Sequence, residues 1–177
     1  MNKTLLSAAL IASFGFAALA PLGAQAATTG TINFTGRVLA DTCTITVNSG
    51  ATVILPQVST AAFGAIGSVA GQSSPFSIAL TGCDTNTASA KMAFNGTNVD
   101  STTGNLINAT SGGSNVQVQL LNSSNAVINT STQANAPTIA VASGAGSTSL
   151  TARYIATATA TTAGLVTSSV GFTLTYQ

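Results

Sequence analysis

Residues Ser168–Gln177 read SSVGFTLTYQ. Val170, Phe172, Leu174 and Tyr176 alternate with Gly171, Thr173 and Thr175. A period of two puts successive side chains on opposite faces, so the stretch is a β-strand with one apolar side. Edge strands are ordinarily blunted by charge or proline. This one carries neither. Its apolar face and its backbone edge both need a partner.

The same pattern runs through the chain before it. TGTINFTGRVLA (29–40) sets Gly30, Ile32, Phe34, Gly36 and Val38 on one face. CTITV (43–47), ATVILPQV (51–58), PFSIALTGC (75–83), KMAFNG (91–96), VQVQLLN (116–122), PTIAVAS (137–143) and SLTARYIATATA (149–160) follow. Turn-forming runs such as NGTN (95–98), TSGGSN (110–115), NSSN (122–125) and SGAGS (143–147) separate them. Only VSTAAFGAIG (58–67) could hold a helical turn. Many short strands at this spacing predict an all-β sandwich or barrel. No repeat or linker divides the chain beyond its leader.

The leader is residues 1–26. Lys3 supplies a positive start, LLSAALIASFGFAALA an apolar core, and AQA (24–26) small residues at a cleavage site. This reads as a secretory signal peptide, and Pro21 and Gly23 break the core short of a membrane span. In an exported chain, the single pair Cys43 and Cys83 reads as a disulfide. It would close a loop of about 40 residues, worth roughly 4 kcal/mol by chain entropy.

Past the leader, Arg37, Lys91 and Arg153 balance Asp41, Asp84 and Asp100. A neutral chain has no electrostatic footprint for nucleic acid or an anionic membrane. A hydroxyl- and amide-rich surface without net charge does little to oppose self-association. Catalysis needs a proton-exchanging group or a primed nucleophile. The chain has no histidine and no glutamate, its cysteines are paired, and its three aspartates are scattered. No nucleotide-binding or hydrolase motif is present. No catalytic residue, cofactor or metal is expected, because isolated Asp in Asn/Gly-rich turns is a turn former. The N-x-S/T sequons, NFT at Asn33 and NGT at Asn95, follow from composition and carry no assigned role. Arg37 and Arg153 read as solvated strand-face charges.

Counted from Gln177, Gly164 is the fourteenth residue and Tyr176 the penultimate one. Together with the leader, the alternating arm TGTINFTGRV, the cysteine pair and ARYIATATA, these positions resemble the subunits of chaperone–usher pili, most closely the major subunit of type 1 fimbriae. The likeness spans the chain after the leader and is weakest over residues 95–146.

The resemblance implies an immunoglobulin-like sandwich lacking one strand, exported through the periplasm to a fimbrium on the bacterial surface. It implies a donor-strand extension over 27–40, with Gly30, Ile32, Phe34, Gly36 and Val38 facing the groove, ahead of a pilin domain over 41–177. Gly164, Val166, Val170, Phe172, Leu174 and Tyr176 would form the acceptor groove. A periplasmic chaperone would fill that groove first. At the outer-membrane usher, the arm of an identical or related subunit would replace it and so build a homopolymer. This mode is β-strand addition. Burying Ile32, Phe34 and Val38 contributes on the order of 5–9 kcal/mol. Read by periodicity alone, the arm is the first strand of the chain's own sandwich sooner than a donor; the conjunction of both ends with the other landmarks turns the reading. A minor adaptor, an adhesive subunit and a freestanding secreted β-sandwich are the competing functions. A tip adhesin carries a further receptor domain, for which this chain has no room, and there is no tryptophan to stack on a sugar.

Overall fold

A computed structural model describes residues 33, 35, 43–47, 50 and 52–177. The chain divides into the units Met1–Gly36 and Arg37–Gln177, and the fold is that of the second. The leader, and Gly30, Ile32, Phe34, Gly36 and Val38 of the arm, lie outside the described residues.

The alternating runs form two sheets. The strands are β1 (Thr44–Val47), β2 (Val69–Ala70), β3 (Phe76–Thr81), β4 (Ser89–Asn95), β5 (Val116–Leu121), β6 (Val127–Ile128), β7 (Thr138–Ala140), β8 (Gly146–Ala156) and β9 (Gly171–Tyr176). One sheet runs β1-β3-β8-β5-β6, with β2 also paired to β8; the other runs β7-β4-β9. Every named pairing is antiparallel. The period of two sorts the side chains. Ile78 and Leu80 of β3, Met92 and Phe94 of β4, Val118 and Leu120 of β5, and Leu150 and Ala152 of β8 meet in the core. Burying each large aliphatic or aromatic side chain contributes about 1.5–3 kcal/mol.

Local chemistry sets the turns. Asn125 is left-handed at φ 58°, and the Asn122 carboxamide oxygen accepts from the N–H groups of Ser124 and Ala126, each at 3.0 Å. That closes the hairpin joining β5 to β6. Asp84 accepts from the Asn86 N–H at 2.7 Å, and Asp100 from the Thr102 N–H at 2.8 Å. Both aspartates are turn formers. Gln117, then Thr102 and Thr103, hold the Asp100 carboxyl below its ordinary range by donating to the charged form. VSTAAFGAIG contains one 3-10 turn, Thr60–Ala62, capped by the Ser59 hydroxyl, which accepts from the Ala61 N–H.

Two readings are corrected. ATVILPQV is not a strand: residues 52–59 join no ladder. Their alternation is real, with Val53 and Leu55 half-buried and Ile54 81% exposed. What is missing is a neighbour among the described residues, and a ladder needs one. Arg153 is not a free surface charge. It is half-buried, and its Nε and one terminal nitrogen donate to the Oε1 of buried Gln119 at 2.9 and 2.7 Å.

Cys43 and Cys83 form a disulfide across a separation of 40 residues, both buried beside β1 and β3. Cys43→Ser should lower the unfolding free energy by roughly 4 kcal/mol in a denaturant titration. An unchanged midpoint would mean that the bond stabilises nothing. Thr151 is buried in β8, and its hydroxyl is the one buried side-chain polar atom without a partner among the described residues. Thr151→Val removes that desolvation cost and should raise stability by about 1 kcal/mol in the same assay.

Candidate functional site

Among the described residues, β9 has a neighbour on one side only. Phe172, Leu174 and Tyr176 stand opposite Phe94, Met92 and Ala90 of β4. Residues directly opposed in an antiparallel pair project to the same face. Phe94 is 5% exposed and Met92 and Ala90 are 0% exposed, so the apolar face of β9 looks into the core. Val166, Val170, Phe172, Leu174 and Tyr176 all pack against the core while remaining half-buried. Thr173 and Thr175 on the other face are exposed. The half-burial arises because the second edge of β9 has no strand beside it among the described residues.

A groove follows that edge. It has a volume of about 450 Å³ beside Phe172, and its floor is the core itself, including Ile78, Leu120 and Leu150. Val53 and Leu55 form one wall, and Val166, Val170 and Phe172 the other. The groove continues past Leu55 and Val166 into a wider section of about 810 Å³ that ends at Gly164 and Tyr154. Burial raises the Tyr154 phenol above its ordinary pKa. Burial alternates along both walls: Leu165, 67% exposed, precedes half-buried Val166, and Ile54, 81% exposed, lies between half-buried Val53 and Leu55. Neither residues 52–55 nor 161–170 form a strand.

Gly164 sits where the second wall meets the 113–114 backbone. A Cβ there would lie 2.5 Å from the Ser114 nitrogen and 2.7 Å from the Gly113 carbonyl carbon. Only glycine allows that approach. The groove therefore brings together Gly164, Val166, Val170 and Phe172, while Leu174 and Tyr176 pack against the core farther along β9 and do not line it. Sequence reasoning missed Val53 and Leu55, although the alternation of VIL within ATVILPQV was their signal. It also missed Asn108 and Asn115, which anchor the second wall.

Among the described residues, no group of three or more Cys, Asp or Glu side chains could hold a metal ion, and the lining adds hydroxyl and amide side chains such as Thr162 and Gln57 to the apolar floor. What the arrangement can do is bind an extended chain. It offers an apolar floor between two walls whose residues 52–55 and 161–170 belong to no ladder among the described residues.

A family model described as fimbrial protein matches residues 32–177. The F17 fimbrial protein of Escherichia coli is 40% identical over 174 residues, covering 92% of this chain and 96% of that protein. The major fimbrial subunit SMF-1 of Stenotrophomonas maltophilia is 41% identical over 171 residues, covering 90% of this chain and 99% of that one. Among solved structures, the antigen and type I fimbria protein of Burkholderia pseudomallei superposes with a TM-score of 0.55 at 30% identity, covering 84% of this chain and 99% of that one.

Proposed function

Because this chain belongs to the fimbrial protein family and is a structural subunit of a surface pilus that partners with other subunits, we propose that it polymerises by lending residues 27–40 to the groove of the next copy. The observation that carries this reading is the core left open beside β9, in a groove of about 450 Å³ lined by both Leu55 and Val166. The arm supplies what the groove lacks. Ile32, Phe34 and Val38 reach the floor, and Gly36 passes over a shallow point. Each backbone bond to the walls adds about 0.5–1.5 kcal/mol.

The leader (1–26) sends the chain to the periplasm, and the domain over 41–177 folds there. A periplasmic chaperone lends a strand to the groove until the arm of the next subunit replaces it at the outer-membrane usher. An open apolar groove would otherwise promote aggregation. The relative named as a major fimbrial subunit supports a role in building the rod over that of an adaptor.

An excess of a synthetic peptide of residues 27–40 tests the reading. Added to the polymerising mature chain, it should occupy growing ends and shorten the filaments seen by electron microscopy. The same peptide with Ile32→Asp and Phe34→Asp should not. Unchanged filament lengths with the unaltered peptide would contradict the proposal.

A further inference from the structure

The second wall of the groove, residues 160–168, belongs to no sheet, yet its backbone is held as if it did. Two asparagine side chains hold it. The Asn115 Nδ2 donates to the Ala160 carbonyl at 2.9 Å, and its Oδ1 accepts from the Thr162 N–H at 2.9 Å. The Asn108 Nδ2 donates to the Leu165 carbonyl at 2.9 Å, and its Oδ1 accepts from the Thr167 N–H at 3.0 Å. In each case one amide binds the carbonyl of one residue and the N–H two residues later. In a parallel neighbouring strand, the N–H and C=O of one residue make that pair of bonds. A carboxamide has the same donor and acceptor as a peptide group.

The orientation of Asn108 is fixed by two further partners. Its Nδ2 also donates to the Ser114 carbonyl at 2.8 Å, and its Oδ1 also accepts from the Thr110 N–H at 3.0 Å. A flipped amide would set donor against donor at two contacts and acceptor against acceptor at two more. Ser114 and Ala109 add backbone bonds to the same side, donating to the carbonyls of Leu165 at 3.2 Å and Thr167 at 2.7 Å.

In an extended chain, backbone polar groups alternate from side to side. Leu165 and Thr167 are therefore turned to Asn108, and Val166 turns its N–H and C=O the other way, to the groove. Thr162 and Leu165 both face the asparagine side although they are three apart. The alternation must slip by one residue between them, and Gly164 lies in that interval.

The geometry points to Asn108 and Asn115 as positioning residues for strand capture: their side-chain amides replace a neighbouring strand, so the wall presents an ordered free edge to the incoming arm. This rests on the donor-strand reading. It adds that affinity for the arm depends on two residues that do not line the groove floor.

The test uses the full mature chain and a fluorescent peptide of residues 27–40. Asn108→Asp keeps the size and the acceptor, removes both Nδ2 donations, and sets a negative charge against two carbonyls. Peptide affinity should fall by about tenfold or more, the effect of losing one to two net hydrogen bonds. Amide hydrogen exchange should speed up at Thr167, whose N–H is held by Asn108, while Thr173 and Thr175, which pair with β4, stay as protected as in the unaltered chain. Asn115→Asp should move the fast exchange to Thr162, whose N–H Asn115 holds. Unaltered affinity in both variants would overturn the inference. So would exchange that rises equally in β9, because that signature belongs to general destabilisation. Failure of the unaltered chain to bind the peptide would overturn the donor-strand reading itself, and this inference with it.

Discussion

Phe172→Asp should abolish both chaperone capture and filament formation, while Thr173→Asp leaves both close to normal. Phe172 stands opposite buried Phe94 and lines the groove with Leu120 and Leu150. A carboxylate there loses its water once a strand fills the groove, at a cost of several kcal/mol unless a cation pairs with it. Neither described cation is placed to do so. Lys91 stands opposite Thr175, on the exposed face, and Arg153 is engaged by Gln119. Thr173 is exposed, and surface substitutions of that kind usually change stability by less than about 0.5 kcal/mol. Pull-down with the chaperone and filament yield, at matched expression, give the contrast. Normal behaviour of the Phe172 variant would remove the hydrophobic acceptor from the account.

Deleting Ala27–Thr35 should leave a subunit that folds and is captured by chaperone but forms no filament of its own. The deletion removes Ile32 and Phe34 and leaves the cores of β3, β4, β5 and β8 intact. Such a subunit keeps a groove and cannot fill another. Co-expressed with the full chain, it can occupy only one end of a fibre, so mean filament length should fall as its share rises. A truncated chain that fails to fold in the presence of chaperone would show that the arm belongs to its own sandwich.

The parts of this fold that were legible in the sequence are those where a side-chain period coincides with pairing. In β9 the alternation from Val170 to Tyr176 gave the strand and its inward face, because Phe94, Met92 and Ala90 on β4 share that register. In ATVILPQV the period was equally clear, and it misled. Periodicity reports which side chains turn inward and is silent on whether a neighbour completes the ladder, so Val53 and Leu55 read as strand residues. β2 and β6, two residues each, are too short to carry a period at all.

The anchoring of the second wall was not legible. Asn108 and Asn115 sit in a chain crowded with asparagine, and nothing local separates them from Asn122, which shapes a turn. Their contacts reach 45 to 59 residues along the chain. Such pairings exist only once the fold has brought the segments together. Arg153 read as a surface charge for a related reason: its partner, Gln119, is on the adjacent strand 34 residues away.

The most direct test of donor-strand polymerisation is a density map of the assembled filament, at a resolution that traces side chains. The expected map shows residues 27–40 of each subunit lying in the groove of its neighbour, hydrogen-bonded along β9, with Phe34 on the floor among Leu120, Leu150 and Phe172. A map in which those residues fold back into the sandwich of their own subunit, and neighbouring subunits touch only through their outer faces, would contradict it.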